Sequence, residues 1–313
     1  MKKVLITGIK SYIGNYLLEW LSERPDDYEV ETVDLRDPFW KDRSFAGYDA
    51  VFHVAGIAHQ QRATKKRYDQ VNRVLAIETA EKAKADGVKL FIFMSTMAVY
   101  GVEDRMGVKN EIGADTDIKP TTYYGMSKYE AELGIAELHD SRFNVCIVRP
   151  PMIYGENCPG NYRSLRKLTM DYGFAPEYEN ERSMIYIGNF CEFIRLLIDG
   201  AHTAQGGVAA PRASGLTAGR GCMIFCPQDG AYHCTATLME WIGLENSRTV
   251  KKTAWLGSAV RRLAPVAPRL RKAFGNLTYA WDLSVIPSED YCIWNTRSAV
   301  RATESGWRAE PRK

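Results

Sequence analysis

No window of the 313-residue sequence approaches the ~20 apolar residues that a membrane-crossing helix needs. A strong charge of either sign is also missing. With 41 Lys and Arg against 38 Asp and Glu, the formal charge is +3, which gives no argument for a nucleic-acid partner. The seven cysteines form no disulfide framework: their number is odd and their spacing irregular, as for reduced thiols. Cys222, Cys226 and Cys234 lie near His233 but lack a matching second ligand pair, so no metal site is expected. There is no internal repeat. Met1-Lys2-Lys3 followed by Val4-Leu5-Ile6 imitates the head of a signal peptide, yet the apolar run stops at Thr7-Gly8 and Lys10 follows. The expected location is the cytoplasm.

What is present is ordinary for a globular chain: 45% hydrophobic and 25% charged residues, enough for one large or two small domains. Val4-Leu5-Ile6 ends in Thr7-Gly8, and Ile13, Leu17, Leu18 and Leu21 then recur at helical spacing. A strand, tight turn and helix of this kind aim helix-terminal N–H groups and the positive dipole end at a phosphate. Gly8 and Gly14 bracket the turn, with Ser11 where a third glycine is usual. Asp34 ends the next apolar stretch, Val30 to Val33. A carboxylate there accepts ribose hydroxyls and repels a 2′-phosphate, so NAD is favoured over NADP, although Arg36 nearby weakens the preference.

Ala50-Val51-Phe52-His53-Val54-Ala55-Gly56 reads as a buried parallel strand entering a small-residue turn. Sixteen residues separate Asp34 from Val51, too few for a helical crossover and another strand; one strand–helix unit should be shortened or missing. Val71, Val74, Leu75 and Ala83 predict one apolar helix face. Lys89 to Met94 is a further strand, entering Ser95-Thr96, and a polar loop with Pro120 leads to a helix at Tyr124. Asn144 to Val148 is the next strand, ending at Arg149-Pro150-Pro151. This alternation predicts an α/β fold with a doubly wound parallel sheet, the Rossmann fold.

Beyond Pro151 helices are expected near 162–171, 189–198 and 235–242, while Gly200 to Gly221 lacks apolar periodicity and is expected to be a long mobile loop. Arg261 to Lys272 is basic and interrupted by Pro265 and Pro268, which favours a solvated face over a membrane-surface helix. The expected division is a dinucleotide-binding domain over 1–155 and a smaller α/β substrate-binding region over 156–313, partly interleaved.

Tyr124 and Lys128 stand four residues apart in Tyr123-Tyr124-Gly125-Met126-Ser127-Lys128, so a helix places phenol and ammonium one turn apart on one face. A cation beside a phenol favours the phenolate, giving a general acid/base suited to a sugar or alcohol oxygen.

Together these motifs resemble the extended short-chain dehydrogenase/reductase family, in its nucleotide-sugar epimerase, dehydratase and ketoreductase branch. The resemblance is carried by Thr7 to Gly14, Asp34, His53 to Gly56, Asn72, Ser95-Thr96 with Val99-Tyr100-Gly101, the Tyr124/Lys128 pair, and Arg149 to Gly155. It runs in family order over the first half and more loosely through Gly160-Asn161-Tyr162 and Arg182 to Ile187 in the second. It implies that Tyr124 is the acid/base, that Lys128 lowers its pKa and bonds the nicotinamide ribose, and that Thr96 hydrogen-bonds the reacting oxygen, with Ser95 its neighbour in the other register. It places Gly8, Ser11, Tyr12, Ile13, Gly14, Asp34, Ala55, Gly56, Asn72, Lys128 and Met152 along NAD. Arg182 and Asn161 would hold the diphosphate of a nucleotide sugar of the UDP-linked class. The family's dehydratases carry Asp-Glu directly after the catalytic Thr; here Met97 and Ala98 stand there, which argues against dehydration. The resemblance leaves a 4-epimerase, placed first because Asp34 favours retained NAD, and a 4-ketoreductase of a UDP-2-acetamido-2,6-dideoxy-4-keto sugar, which uses NAD(P)H. A non-enzymatic dinucleotide sensor of the same fold stands behind both. A homodimer through the Tyr124 helix and the helix before it is a family expectation.

Overall fold

The computed structural model describes residues 1–58, 63–200, 222–264 and 266–307. The chain opens with β1 (Lys2–Thr7), α1 (Tyr12–Ser22), β2 (Tyr28–Val33) and β3 (Ala50–His53). α2 (Lys65–Tyr68), a π-helical turn (Asp69–Val74) and α3 (Leu75–Ala85) follow, then β4 (Leu90–Met94), β5 (Glu111–Ile112), α4 (Tyr123–Ala136) and β6 (Asn144–Val148). The second half holds β7 (Met152–Tyr154), α5 (Asn161–Tyr172), β8 (Phe174–Pro176), β9 (Met184–Tyr186), α6 (Ile187–Ile198) and β10 (Met223–Phe225). After these come α7 (Thr235–Glu245), β11 (Lys251–Thr253), α8 (Ala254–Leu263), α9 (Pro268–Phe274) and β12 (Thr278–Tyr279).

Six parallel strands form the central sheet in the order β10-β6-β4-β3-β1-β2. Because side chains alternate along a strand, each strand feeds both layers. Val4, Ile6, Phe52, Ile92 and Val148 pack with Leu17 and Leu21 of α1 and the apolar face of α6. Leu5, Val51, Phe91, Phe93 and Ile147 pack with Ala80 and Ala83 of α3 and Ala131 and Ile135 of α4. Apolar runs with helices on both faces are what a doubly wound sheet requires. Each of these large side chains contributes about 1.5–3 kcal/mol by leaving water.

Between β2 and β3 stands only a short 3-10 turn, Trp40–Asp42, and β3 pairs directly with β1. The compression after Asp34 thus removes the strand that would lie outside β2. The sixth strand, β10, comes from the second half of the sequence and pairs with β6. The helix face expected at Val71, Val74, Leu75 and Ala83 is corrected: Val74 is exposed, and Ala76, Thr79, Ala80 and Ala83 are the buried positions. The π-helical turn inserts an extra residue into the repeat and rotates the face that follows it. The expected mobile loop at Gly200 to Gly221 falls, apart from Gly200, outside the described residues. Among the described residues no helix is long and apolar enough to cross a membrane.

Candidate active site

The C-terminal ends of β1, β3 and β4 open onto one edge of the sheet. Gly8 follows β1 with φ +86°, a conformation that costs a side chain dearly, and a Cβ there would lie 3.1 Å from the Ala55 backbone. Ser11 caps α1, its Oγ accepting from the Gly14 N–H at 3.2 Å. The serine therefore satisfies a helix-terminal donor in an extended conformation that needs no glycine. Gly14 lets α1 approach Val54 and Ile6 closely. Ile13 packs on the core beneath, and the buried Tyr12 hydroxyl has no hydrogen-bond partner among the described residues. The tight turn and the helix N-terminus fit a dinucleotide diphosphate.

At the end of β2, Asp34 is gripped by Arg36. The guanidinium donates to both carboxylate oxygens at 2.8 and 2.6 Å, and the Arg36 N–H adds a third bond at 3.0 Å. These bonds hold the Asp34 carboxyl down at about 2. Asp34 is thus placed where a ribose carboxylate is expected, but a cation already covers it.

Asn72, expected along the cofactor, is buried beside the Ala55–Gly56 turn. Its Oδ1 accepts from Ile57 N–H at 2.8 Å, and its Nδ2 donates to Ile57 C=O at 2.9 Å and Ser127 Oγ at 3.2 Å. The amide is spent on protein: it fastens the Ala55–Gly56 turn to α4. Gly56 fits between Asn72 and Lys128, where a Cβ would come within 3.1 Å of Asn72 Oδ1. Met152, on β7, is half-buried in the strand that leaves the central sheet to pair with β9.

α4 carries the catalytic candidates. Thr122 caps it by accepting from Gly125 N–H at 3.0 Å, and a Cβ on Gly125 would strike Ala98 C=O at 2.7 Å. That close approach brings the first turn of α4 against the 3-10 turn Met97–Tyr100, which Thr96 caps. Thr96 and Tyr124 are joined by a side-chain hydrogen bond, which lowers the Tyr124 pKa; burial is the larger effect and leaves it raised. Lys128 is buried, donates to the Met94 C=O at 2.7 Å and lies 4.7 Å over the Phe93 ring. Burial lowers its pKa to about 8. The expected depression of the Tyr124 pKa by Lys128 is therefore corrected in this geometry: the ammonium is turned to a backbone carbonyl, and desolvation of the phenol dominates.

Ser95 points elsewhere. It is buried and donates to Glu132, one turn beyond Lys128 on α4. Glu132 in turn accepts from Arg149 at 3.0 and 2.5 Å, and Arg149 donates to Tyr100 Oη at 3.1 Å. Charged groups this deep are held only when paired and hydrogen-bonded. This network pins α4, the end of β4 and the end of β6 together behind the dyad, and it selects Thr96 over Ser95 as the residue facing Tyr124. Sequence reasoning did not single out Glu132. Its position four residues after Lys128, with a buried arginine at the end of the next strand, was the available signal.

Asn161 is exposed at the start of α5. Arg182 donates to Asp104 at 2.6 Å and to Gly275 C=O at 2.9 Å. Asp104 and Arg271 line an open cleft of about 660 Å³ with Gly101, Glu103 and Met106. Arg271 reaches Glu103 at 3.1 Å. Arg271 of the cleft lining, and Arg182 behind Asp104, are thus each answered by a carboxylate of one loop. Among the described residues no group of three or more His, Cys, Asp or Glu could hold a metal ion.

A model of the NAD dependent epimerase/dehydratase family matches residues 4–200, more than half of the chain. UDP-glucose 4-epimerase of Vibrio cholerae is 27% identical over 223 residues, covering 63% of this chain and 67% of that protein. An N-acetyl-alpha-D-glucosaminyl-diphospho-ditrans,octacis-undecaprenol 4-epimerase of Escherichia coli O157:H7 is 29% identical over 209 residues, 61% of this chain and 62% of that protein. The chain thus spans about two thirds of the first relative's length and less of the second's. Its fold is similar to that of RMD from Pseudomonas aeruginosa complexed with NADPH, with a TM-score of 0.70 at 16% identity, covering 98% of this chain and all of that one.

Proposed function

This chain belongs to the NAD dependent epimerase/dehydratase family, and within it we propose an NAD-dependent nucleotide-sugar 4-epimerase acting on a UDP-sugar through a transient 4-keto sugar, with Tyr124 as the acid/base. The observation that carries this reading is the meeting of Tyr124, Thr96 and Lys128 at one sheet edge, with Met97 and Ala98 directly after Thr96. When bound, NAD supplies the reversible oxidation of the sugar carbon. The chain's own part is to hold the sugar oxygen between the Thr96 and Tyr124 hydroxyls, and to take up its proton at Tyr124 and return it. Lys128, whose pKa burial lowers to about 8, is charged near neutral pH and is held on the Met94 carbonyl, from where it is proposed to bond the nicotinamide ribose. Met97 and Ala98 have no group that transfers a proton, so expulsion of a 6-hydroxyl has no acid and base there.

The names of both relatives support 4-epimerisation of a sugar carried on a diphosphate. Arg182, with Asn161, is proposed to receive that diphosphate, a bidentate guanidinium being suited to phosphate oxygens. A cytoplasmic homodimer through α3 and α4 belongs to the same proposal; exposed Tyr123 and Met126 on α4 support it. One observation favours a second reading, a 4-ketoreductase using NAD(P)H: Arg36 neutralises the carboxylate that would repel a 2′-phosphate. Mass spectrometry of small molecules released from the denatured protein tests the choice. Stoichiometric NAD is expected; no bound nucleotide, together with NADPH oxidation on a 4-keto sugar, would overturn the epimerase in favour of the reductase.

A further inference from the structure

We propose that α8 and α9 form a docking surface for an anionic lipid bilayer. From Glu245 to Asp282 the sequence has no acidic residue between the two, yet it holds eight lysines and arginines, more positive charge than the whole chain's net +3. The rest of the molecule is therefore net acidic, and the basic charge is concentrated on this one segment.

The structure shows what that segment presents. α8 packs against the β8 region through Gly257, which closes on the Glu177 backbone, and through buried Val260 and Ala264. Exposed on α8 are Trp255, at 66%, and Leu263, at 51%, with Val266 just beyond the helix at 80%. Arg261, Arg262, Arg269 and Lys272 are exposed on the same two helices, Arg261 lying 5.9 Å over the Tyr178 ring. Among the described residues none of these four has an ion-pair partner, whereas Lys252 is answered by Glu240 at 2.7 Å and Arg271 by Glu103 at 3.1 Å.

A solvated basic face, the expectation from sequence, explains the cations but leaves three large apolar side chains in water without a gain. An interfacial helix explains both: tryptophan and aliphatic side chains enter the headgroup boundary, and arginines meet anionic headgroups. α8 ends at Leu263 and α9 begins at Pro268, so the surface is built from two short elements. A nucleic acid would satisfy the arginines but offers Leu263 and Val266 no partner. Arg271, on α9, also lines the cleft beside Asp104, so this surface lies next to the cleft mouth.

Flotation with vesicles tests the proposal, using equal parts phosphatidylglycerol and phosphatidylcholine against phosphatidylcholine alone. The full chain is expected to float with the anionic vesicles at low salt, to be released by added salt, and to ignore the neutral ones. Arg262→Ser combined with Arg269→Ser should lower the partition coefficient roughly thirtyfold, at about tenfold or less per cation, with an unchanged melting temperature. Brominated acyl chains should quench part of the tryptophan fluorescence of the wild type, and that part should vanish in Trp255→Phe. No flotation with anionic vesicles at low salt would overturn the proposal. So would flotation unaffected by the arginine substitutions, quenching that survives Trp255→Phe, or retention by duplex DNA without vesicle binding.

Discussion

Two ion pairs, one behind Tyr124 and Lys128 and one beside the open cleft, are built differently. Behind Tyr124 and Lys128, Glu132 and Arg149 are both fully buried and are completed by Ser95 and Tyr100. At the cleft, Arg182 and Asp104 remain 12% and 11% exposed and are joined through a single guanidinium nitrogen, Nη1. The first pair ties three elements of the sheet edge together and cannot be exchanged for water without opening the core. The second borders open space, where an anionic ligand can compete with a carboxylate for the guanidinium. On the proposed function, chemistry that requires a fixed oxygen position would sit on the first, and recognition, which must form and release, on the second.

Removing the reacting phenol while leaving both pairs in place gives the largest expected effect. Tyr124→Phe should lower turnover by about 10²–10⁴-fold with an unchanged melting temperature, measured by steady-state kinetics and calorimetry. If turnover is unchanged, the assignment of this site fails. Breaking the buried pair comes next. Glu132→Ala leaves the Arg149 charge uncompensated and should cost about 3–5 kcal/mol in denaturant unfolding. A cost near that of a surface pair would remove the contrast drawn above.

Lys128 gives a pH signature on the buried side. Burial brings its pKa to about 8 in the folded chain, below the ordinary 10.5. Below about 8 both states are protonated, and the buried charge costs stability; between 8 and 10.5 the unfolded chain holds more protons, so stability rises with pH. Across that window the wild type should gain up to about 3 kcal/mol relative to Lys128→Met, read from paired unfolding curves. A constant difference would contradict the buried, charged lysine. The smallest effect belongs to the cleft: Asp104→Asn should cost about 1 kcal/mol or less and tighten UDP binding in calorimetry by freeing Arg182. Weaker UDP binding would mean that Asp104 orients Arg182 for the ligand, and the two pairs would then be alike.

The sheet half was legible from sequence because its signals are local. Tyr124 and Lys128 are one helical turn apart, Gly8 stands at a turn that demands positive φ, and β6 runs over Asn144–Val148, as its apolar run predicts. The compression after Asp34 could be counted in residues. What could not be read depends on distant pairing. Glu132 looks like one more helical carboxylate until Arg149 of the neighbouring strand meets it. Asn72 carries the right side chain for a ligand, but both ends of its amide close on Ile57. The π-helical turn before α3 leaves no mark in composition, yet it exposes Val74. Asp104 covering Arg182 joins residues far apart in the chain, and β10 enters the sheet from beyond the expected domain boundary.

The central claim is tested most directly by following UDP-glucose and UDP-N-acetylglucosamine by NMR with the purified wild-type protein and no added cofactor. The C4 epimer of at least one is expected to accumulate to an equilibrium mixture, and Tyr124→Phe to abolish the conversion. No epimer from either sugar, with NADPH consumed on a 4-keto sugar instead, would contradict it.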